Sequence, residues 1–127
     1  MTKVTIHQDC DNDPNKEFIK DFNLAFAECN VDFIADCFSE DATWQMIGGP
    51  AWNGKAAIIE ALKTMSDGDA SELIMDTIVS SDNKCAASGV LKYSNGRDIA
   101  YCDVYTFTAN TNKKIRTLKA YAIEIES

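Results

Sequence analysis

The chain has 127 residues, of which 46% are hydrophobic and 25% are charged. These values are typical of one globular domain with a single core, and they exclude disordered and fibrous proteins. With 20 acidic and 12 basic residues, the formal charge is −8. Such a surface repels phosphate backbones and anionic lipids, so we expect neither a nucleic acid nor a membrane as partner.

The N-terminus and the cysteines favour a cytoplasmic protein. No apolar segment of the kind found in secretory signals precedes the charges at Asp9 and Asp11. The five cysteines, at positions 10, 29, 37, 85 and 102, are odd in number and include no Cys-x-x-Cys pair. They are therefore interpreted as reduced thiols that serve as small core residues. Because His7 is the only histidine, no metal site is predicted.

The first helix is predicted after Asp13-Pro14, which supply an acidic N-cap and a proline at the first helical position. Residues 1–12 show no periodicity and are expected to be a flexible lead-in, followed by one domain over residues 13–127. The apolar face of the helix is formed by Phe18, Phe22, Ala25, Phe26 and Cys29.

Two more helices and a strand are predicted before the midpoint of the chain. Asn30 can cap a short helix whose apolar residues are Val31, Ile34 and Phe38. Residues 39–41 break the helical pattern, and residues 42–47 alternate as a strand with Trp44 and Met46 on one face. After the loop at residues 48–50, Asn53-Gly54 leads into a third helix that ends at residues 67–69. Its buried stripe is Ile58, Ile59, Leu62 and Met65.

Four strands of about ten residues each are predicted in the second half, longer than the usual 5–6 residues. They cover residues 71–80, 84–93, 98–109 and 114–126. Asn95-Gly96 is a strong hairpin signal, and residues 110–112 supply the next turn. Gly89 in mid-strand indicates a bend or a bulge. Long strands joined by tight turns predict a curling antiparallel meander.

Both faces of these strands are apolar, whereas a sheet with one solvated face should alternate with polar residues. We therefore expect one face to cover the helices and the outer face to form a homodimer. In the first of these strands, one face carries Leu73, Met75 and Val79, and the other carries Ile74 and Ile78. In the last strand, one face carries Leu118, Ala120 and Ala122, and the other carries Ile115, Tyr121 and Ile123.

The order of elements resembles that of the NTF2-like superfamily. Residues 30–44 (NVDFIADCFSEDATW) look like the helix-to-strand junction of its SnoaL-like branch, which includes polyketide cyclases and ketosteroid isomerases. Residues 52–58 (WNGKAAI) resemble the glycine-led start of the third helix in that family. The resemblance implies an α+β, NTF2-like (cystatin-like) cone with three N-terminal helices packed in a strongly curved antiparallel sheet. It does not imply one function, because this superfamily hosts enzymes and binding domains.

The resemblance to ketosteroid isomerases is partial at the functional positions. Met46 stands where those enzymes carry the aspartate that moves the proton, and Phe22 where they carry a tyrosine of the oxyanion hole. Asp103 falls on the strand segment that carries their second oxyanion-hole acid. Without a base at position 46, the isomerase mechanism does not transfer to this chain.

Asp103 is the candidate catalytic residue, with Tyr101 and Tyr105 as hydrogen-bond partners. These three residues share a strand face with Phe107, and the resemblance implies that this face lines the cone. A desolvated carboxyl group there would have a raised pKa and could donate a hydrogen bond or act as a general base. The alternative is an aspartate whose hydrogen bonds are purely structural.

The predicted ligand-binding lining is Phe18, Phe22, Trp44, Met46, Trp52, Leu62, Phe107, Leu118 and Ala120. Small residues at 120 and 122 would leave room for a ligand. Trp52 could close the mouth of the cone or simply pack over its open end. Arg97, Arg116 and Lys119 are interpreted as surface charges, with the alternative that Arg116 points inward beside Asp103.

Two functions remain open at this point. The first is binding of a small, mostly apolar ligand in the cone, with or without lyase or isomerase chemistry at Asp103. No metal, nucleotide or flavin signature is present, so any such chemistry is expected to need no cofactor. The second is a non-enzymatic dimeric module that binds a protein partner.

Overall fold

The computed structural model describes residues 3–6, 13–64, 70–108 and 113–125. Within these ranges the chain forms three helices and seven strands. The helices are α1 (Pro14–Ala27), α2 (Val31–Cys37) and α3 (Lys55–Thr64). The strands are β1 (Lys3–Ile6), β2 (Phe38–Met46), β3 (Ala51–Asn53), β4 (Ala70–Ser81), β5 (Lys84–Tyr93), β6 (Asp98–Phe107) and β7 (Ile115–Ile125).

The strands form one curved, open sheet in the order β1-β4-β5-β6-β7-β2-β3. Its centre is the antiparallel meander of β4 to β7, as predicted. The sheet as a whole is mixed, because β1 runs parallel to β4 and β2 runs parallel to β7. The prediction of an α+β cone is confirmed, and the purely antiparallel sheet is corrected at these two pairings.

The N-terminal lead-in contains a strand that the prediction missed. Lys3–Ile6 pair in register with β4, from Lys3 opposite Glu72 to Ile6 opposite Met75. The edge of β4 would otherwise leave its backbone N–H and C=O groups without strand partners, and four residues suffice to cover part of it. Such pairing depends on the partner strand, so the lead-in sequence carries no periodic signal for it. The rest of residues 1–12 lies outside the described residues.

The first helix begins as predicted. The Asp13 side chain caps it by accepting hydrogen bonds from the backbone N–H groups of Asn15 and Lys16, at 2.9 and 3.4 Å. The helix ends earlier than predicted, at Ala27. Cys29 therefore lies beyond the helix, where it is exposed and adopts a positive φ of 57°. The predicted apolar face also omitted Ile19, which is fully buried.

The segment between α2 and α3 is more extended than predicted. Strand β2 begins at Phe38, so residues 39–41 belong to the strand rather than to a break. Residues 51–53 form the short strand β3, which pairs antiparallel to β2 and places Trp52 opposite Trp44. The described part of α3 buries Ile58 and Leu62 as expected. Met65 and residues 67–69 lie outside the described residues, as does the predicted turn at 110–112.

The predicted irregularity at Gly89 is confirmed. The pairing of β4 with β5 shifts between Met75 and Thr77, which leaves Asp76 as an extra residue in β4 opposite Gly89. A Cβ atom at position 89 would overlap the carbonyl oxygen of Ile74. Only glycine therefore fits at this point, where two backbones approach each other closely.

This bulge reverses the inward and outward alternation along β4. Leu73 and Met75 are buried, and beyond the bulge Ile78 is buried while Val79 is 52% exposed. The prediction had placed Val79 on the same face as Leu73 and Met75, because it assumed an unbroken period of two residues. In β7 a similar shift lies opposite the end of β6. It turns Ile115 inward together with Leu118.

The core lies between the helices and the concave face of the sheet. Phe22 of α1 packs edge-on against the rings of Phe38 and Tyr105, with both pairs of ring centroids 5.7 Å apart. On the opposite face of the sheet, Tyr121 and Ile123 are 44% and 69% exposed. None of the described helices has the length and apolar character that a membrane crossing requires.

Candidate functional site

A cavity of about 350 Å³ lies between α1 and the concave face of the sheet. Its walls come from α1, β2, β5, β6 and β7, with Thr64 contributed by the end of α3. The volume falls at the lower end of the range of about 300–1,000 Å³ found for small-molecule sites. The cavity is therefore large enough for a compact ligand.

Five of the predicted lining residues border this cavity. The five are Phe22, Trp44, Met46, Leu118 and Ala120. They lie on α1, β2 and β7, three elements that meet around the cavity because β2 pairs with β7 beneath the helix. These five residues are far apart along the chain and meet only in the folded structure.

The other four predicted lining residues lie elsewhere in the structure. Phe18 packs edge-on against Phe107, with ring centroids 5.5 Å apart, one helical turn before Phe22. Trp52 packs on Trp44, with ring centroids 5.4 Å apart, and does not border the cavity. Leu62 is buried in the core. Phe18, Phe107 and Trp52 thus pack against other aromatic rings instead of facing the cavity.

Small residues surround the polar part of the wall. On β7, Ala120 lies opposite Asp103 and Ala122 lies opposite Tyr101. On β5, Gly89 lies on the other side of Tyr101. Because neighbouring strands present so little side-chain volume here, the space above the two polar residues stays open. Both alanines border the cavity, as the sequence predicted.

A hydrogen-bond chain leads from α1 to Asp103. The Asn23 side-chain amide donates to the carbonyl oxygen of Ile19 at 2.8 Å and to the hydroxyl of Tyr105 at 3.1 Å. Tyr105 in turn donates to Oδ2 of Asp103 at 3.3 Å. Since an amide nitrogen only donates, the Tyr105 oxygen accepts from Asn23, and its own proton is directed to the carboxylate.

The carboxyl group of Asp103 has a strongly raised pKa. Burial raises its pKa from an ordinary value of 3.8 to about 7, against the opposing effect of the Tyr105 hydrogen bond. Both protonation states are therefore populated near neutral pH. Burial and the charge of Asp103 also raise the pKa of Tyr101 and of Tyr105, which stay protonated.

Two polar atoms near the cavity lack hydrogen bonds. The indole nitrogen Nε1 of Trp44 and the hydroxyl of Tyr101 are buried, and neither has a partner in the part of the chain that the structure describes. An unpaired buried donor typically costs about 1–3 kcal/mol. Trp44 and Tyr101 both border the cavity.

Arg97 is partly exposed, as expected of a surface charge, and it also borders the cavity. Its Nε donates to Oε1 of Glu124 at 2.7 Å, which forms an ion pair between the start of β6 and the end of β7. Arg116 is exposed and does not border the cavity. The alternative in which Arg116 faces Asp103 is therefore wrong, because the shift in pairing near the start of β7 turns Ile115 inward instead.

Asn23 is the functional candidate that sequence reasoning missed. It lies directly after Phe22 on the buried side of α1, and only 6% of its surface is exposed. A buried asparagine inside a helix is unusual, because its side chain competes for backbone hydrogen bonds. That position within an aromatic helix face was the signal that could have identified it.

Among the described residues, no group of three or more His, Cys, Asp or Glu side chains lies close enough together to hold a metal ion. The buried thiol of Cys37 has its pKa raised to about 11 by burial. It is therefore protonated and unreactive at neutral pH.

Three helices packed in a curved, mixed sheet around one cavity define an NTF2-like α+β protein. The family model described as a SnoaL-like domain matches residues 19–117. The chain therefore belongs to the SnoaL-like domain family, which confirms the resemblance noted in its sequence. No curated protein sequence matches the chain.

Solved structures agree with this assignment. An NTF2-like protein of unknown function from Burkholderia xenovorans is 20% identical with a TM-score of 0.70, covering 87% of each chain. A protein from Kribbella flavida, named provisionally as a ketosteroid isomerase, is 9% identical with a TM-score of 0.70, covering 88% of this chain and 79% of its own. The epoxide hydrolase/cyclase-like enzyme SalBIII of salinomycin pyran ring formation is 20% identical with a TM-score of 0.68, covering 89% and 93%. At these identities, the likeness establishes the fold.

Proposed function

We propose that this protein binds a small, mostly apolar molecule in its cavity, and that Asp103 acts on that molecule as acid or base. The reaction class is a cofactor-free isomerisation, elimination or cyclisation. One observation carries the proposal: a carboxyl group with a pKa of about 7 lies in the wall of a cavity of about 350 Å³. Perturbed acids in such pockets are typical of functional sites.

The hydrogen-bond chain supports a role for Asp103 in proton transfer. Tyr105 donates to Oδ2 of Asp103, which leaves the other carboxylate oxygen to exchange a proton with a ligand. A group whose pKa is close to the working pH can take a proton in one step and return it in the next. The hydroxyl of Tyr101, on the same strand face, would donate to an oxygen that gains negative charge.

The relatives support this reaction class without specifying the substrate. Two of the similar structures carry names of an isomerase and of a cyclase-like enzyme. Met46 borders the cavity at the position where the resemblance to ketosteroid isomerases would require an aspartate. We therefore propose a mechanism in which Asp103 alone transfers the proton.

A homodimer through the outer face of the sheet completes the proposal. The exposed apolar residues Val79, Tyr121 and Ile123 support this interface, because monomeric proteins rarely leave such a surface uncovered. A module that binds another protein is the competing reading. The cavity and the raised pKa of Asp103 favour the ligand-binding reading.

The test is a comparison of two tryptophan substitutions on β7. Ala120→Trp points into the cavity and would fill it, whereas Lys119→Trp places the same side chain on the outer face. The neutral fluorescent dye N-phenyl-1-naphthylamine should bind the wild type and Lys119→Trp equally, and Ala120→Trp at least about tenfold more weakly. Should Ala120→Trp fail to fold, Ala120→Leu serves instead. Equal binding by all variants would contradict a ligand site in the cavity.

A further inference from the structure

We propose that Asn23 is a positioning residue for Asp103 that acts through Tyr105, because its side-chain amide fixes the direction in which the Tyr105 hydroxyl donates. The inference rests on the proposed function, since it concerns the same candidate acid. It adds that a residue of the first helix controls how readily Asp103 binds and releases a proton. Two hydrogen bonds in series support it, at 3.1 Å from Asn23 to Tyr105 and at 3.3 Å from Tyr105 to Asp103.

The amide group of Asn23 is itself held in one orientation. Its nitrogen also donates to the carbonyl oxygen of Ile19, one helical turn earlier, at 2.8 Å. A carbonyl oxygen only accepts hydrogen bonds, so the atom that faces both Ile19 and Tyr105 is the amide nitrogen. Tyr105 is fully buried, so water does not compete for its hydroxyl. Asn23 is therefore a fixed donor to the Tyr105 oxygen.

The Tyr105 hydroxyl has a single proton, whose direction depends on its neighbours. The proton of a hydroxyl group rotates to suit its surroundings, but the ring of Tyr105 is packed edge-on against Phe22 with centroids 5.7 Å apart. The N–H of Asn23 occupies one side of the oxygen, and a proton turned to that side would meet another proton. Among the described residues, the acceptor that remains for it is Oδ2 of Asp103. The Asn23 bond thus directs the Tyr105 proton to Asp103.

A donor fixed in this way stabilises the ionised form of Asp103. Burial raises the pKa of Asp103, and the hydrogen bond from Tyr105 opposes that rise. Burial also raises the pKa of Tyr105, and there the bond from Asn23 acts in the opposite direction. Hydrogen bonds in series polarise one another in a protein interior. The Asn23 bond therefore makes Tyr105 a better donor to the carboxylate.

Other charged groups have little access to Asp103 in the part of the chain that the structure describes. The residues opposite it on β5 and β7 are alanines, and α1 and β2 present uncharged side chains to the cavity. Arg97 is paired with Glu124. The titratable or charged side chains that border the cavity together with Asp103 are Tyr93, Arg97 and Tyr101. The bond from Tyr105 is thus the direct contact through which the protein adjusts Asp103.

Substitutions of Asn23 and Tyr105 test the inference through the midpoint of the Asp103 carboxyl titration, measured by NMR. Asn23→Leu should raise the midpoint by about 0.5–1 pH unit, because Tyr105 becomes a weaker and less directed donor. Tyr105→Phe should raise it by about 1–2 pH units, because the donor is lost. Adding Asn23→Leu to Tyr105→Phe should leave the midpoint where Tyr105→Phe alone places it, since Asn23 acts through Tyr105.

Asn15→Leu is the matched control for Asn23→Leu. Asn15 is the other buried asparagine of α1, and its side-chain amide donates to the carbonyl oxygen of Asp82 at 3.1 Å. The control therefore removes a buried amide of the same helix that does not contact Tyr105. We expect it to destabilise the fold and to leave the Asp103 midpoint unchanged.

The side-chain amide of Asn23 supplies a readout in the wild type, which requires no variant to fold. In ¹⁵N-labelled protein, its signals should shift with the same midpoint as the Asp103 carboxyl group, because the two hydrogen bonds link these groups. The amide signals of Asn15 should not follow that midpoint.

Three results would overturn the inference and make Asn23 a purely structural residue. They are an unchanged midpoint in Asn23→Leu, an equal rise in Asn15→Leu, and an Asn23 amide signal that does not follow the Asp103 titration. A further rise when Asn23→Leu is added to Tyr105→Phe would also contradict it. Each of these results leaves the cavity site intact. A wild-type midpoint near the ordinary 3.8 would instead overturn the proposed function itself.

Discussion

The side-chain amide of Asn23 on α1 donates a 3.1 Å hydrogen bond to the hydroxyl of Tyr105 on β6. These residues are 82 positions apart, and both are buried. The bond joins the helical layer to the sheet at the residue that donates to Asp103. It therefore has two consequences, one for stability and one for the orientation of the candidate acid.

Replacing Asn23 by leucine should destabilise the fold by about 1–3 kcal/mol, because the buried hydroxyl of Tyr105 loses its donor. The combination with Tyr105→Phe should cost less than the sum of the two single substitutions, since both remove the same bond. Urea denaturation of the four proteins measures this coupling. Strictly additive losses would show that the two side chains do not interact.

The raised pKa of Asp103 predicts a pH dependence of stability. Its pKa of about 7 in the folded state exceeds the ordinary 3.8, so the folded protein binds the proton more tightly than the unfolded chain. Stability from this group is complete below the unfolded pKa and is lost as pH rises through the folded pKa. The wild type should therefore lose a few kcal/mol more than Asp103→Asn between about pH 4 and pH 8. Identical pH profiles from urea denaturation would contradict the shift.

Gly89 should be among the least tolerant positions of the sheet. An alanine there would drive its Cβ into the backbone of Ile74, and we expect a loss of about 1–3 kcal/mol. Gly49→Ala is the matched control, because the same added atom would meet Met46 at an ordinary 3.7 Å. Thermal unfolding compares the two variants. If both alanines are tolerated equally, the close approach at the bulge is wrong.

The proposed dimer predicts that charge on the outer sheet face separates the subunits. Ile123→Asp should convert the protein from dimer to monomer in light scattering at micromolar concentration, because a buried unpaired carboxylate opposes association. Phe33→Asp on α2 is the control, since Phe33 is 42% exposed and away from the sheet face. A monomeric wild type would refute the interface.

The sequence predicted the elements that depend on local chemistry. Asn95-Gly96 marks the turn between β5 and β6, where Gly96 adopts a φ of 91°, and Asp13-Pro14 begins α1. The faces of Val79 and Ile115 could not be predicted, because a register shift depends on the partner strand. The strand at Lys3–Ile6 was missed for the same reason.

The candidate site was predictable in its strand residues and less so elsewhere. Asp103 came from a family resemblance and from its alternation with tyrosines on one strand. Asn23 borders the cavity because its helix packs on the sheet, and Arg97 because it lies at the end of a strand. Neither placement leaves a periodic pattern in the sequence. Phe18 and Phe107 pair with each other, and such pairwise packing is invisible before the fold is known.

The most direct measurement is the titration of the Asp103 carboxyl carbon by NMR, assigned by its disappearance in Asp103→Asn. The account predicts a midpoint at a pKa of about 7, caused by burial in the cavity wall. A midpoint near the ordinary 3.8 would mean a solvated carboxylate. That result would contradict the assignment of Asp103 as the acid or base of this protein.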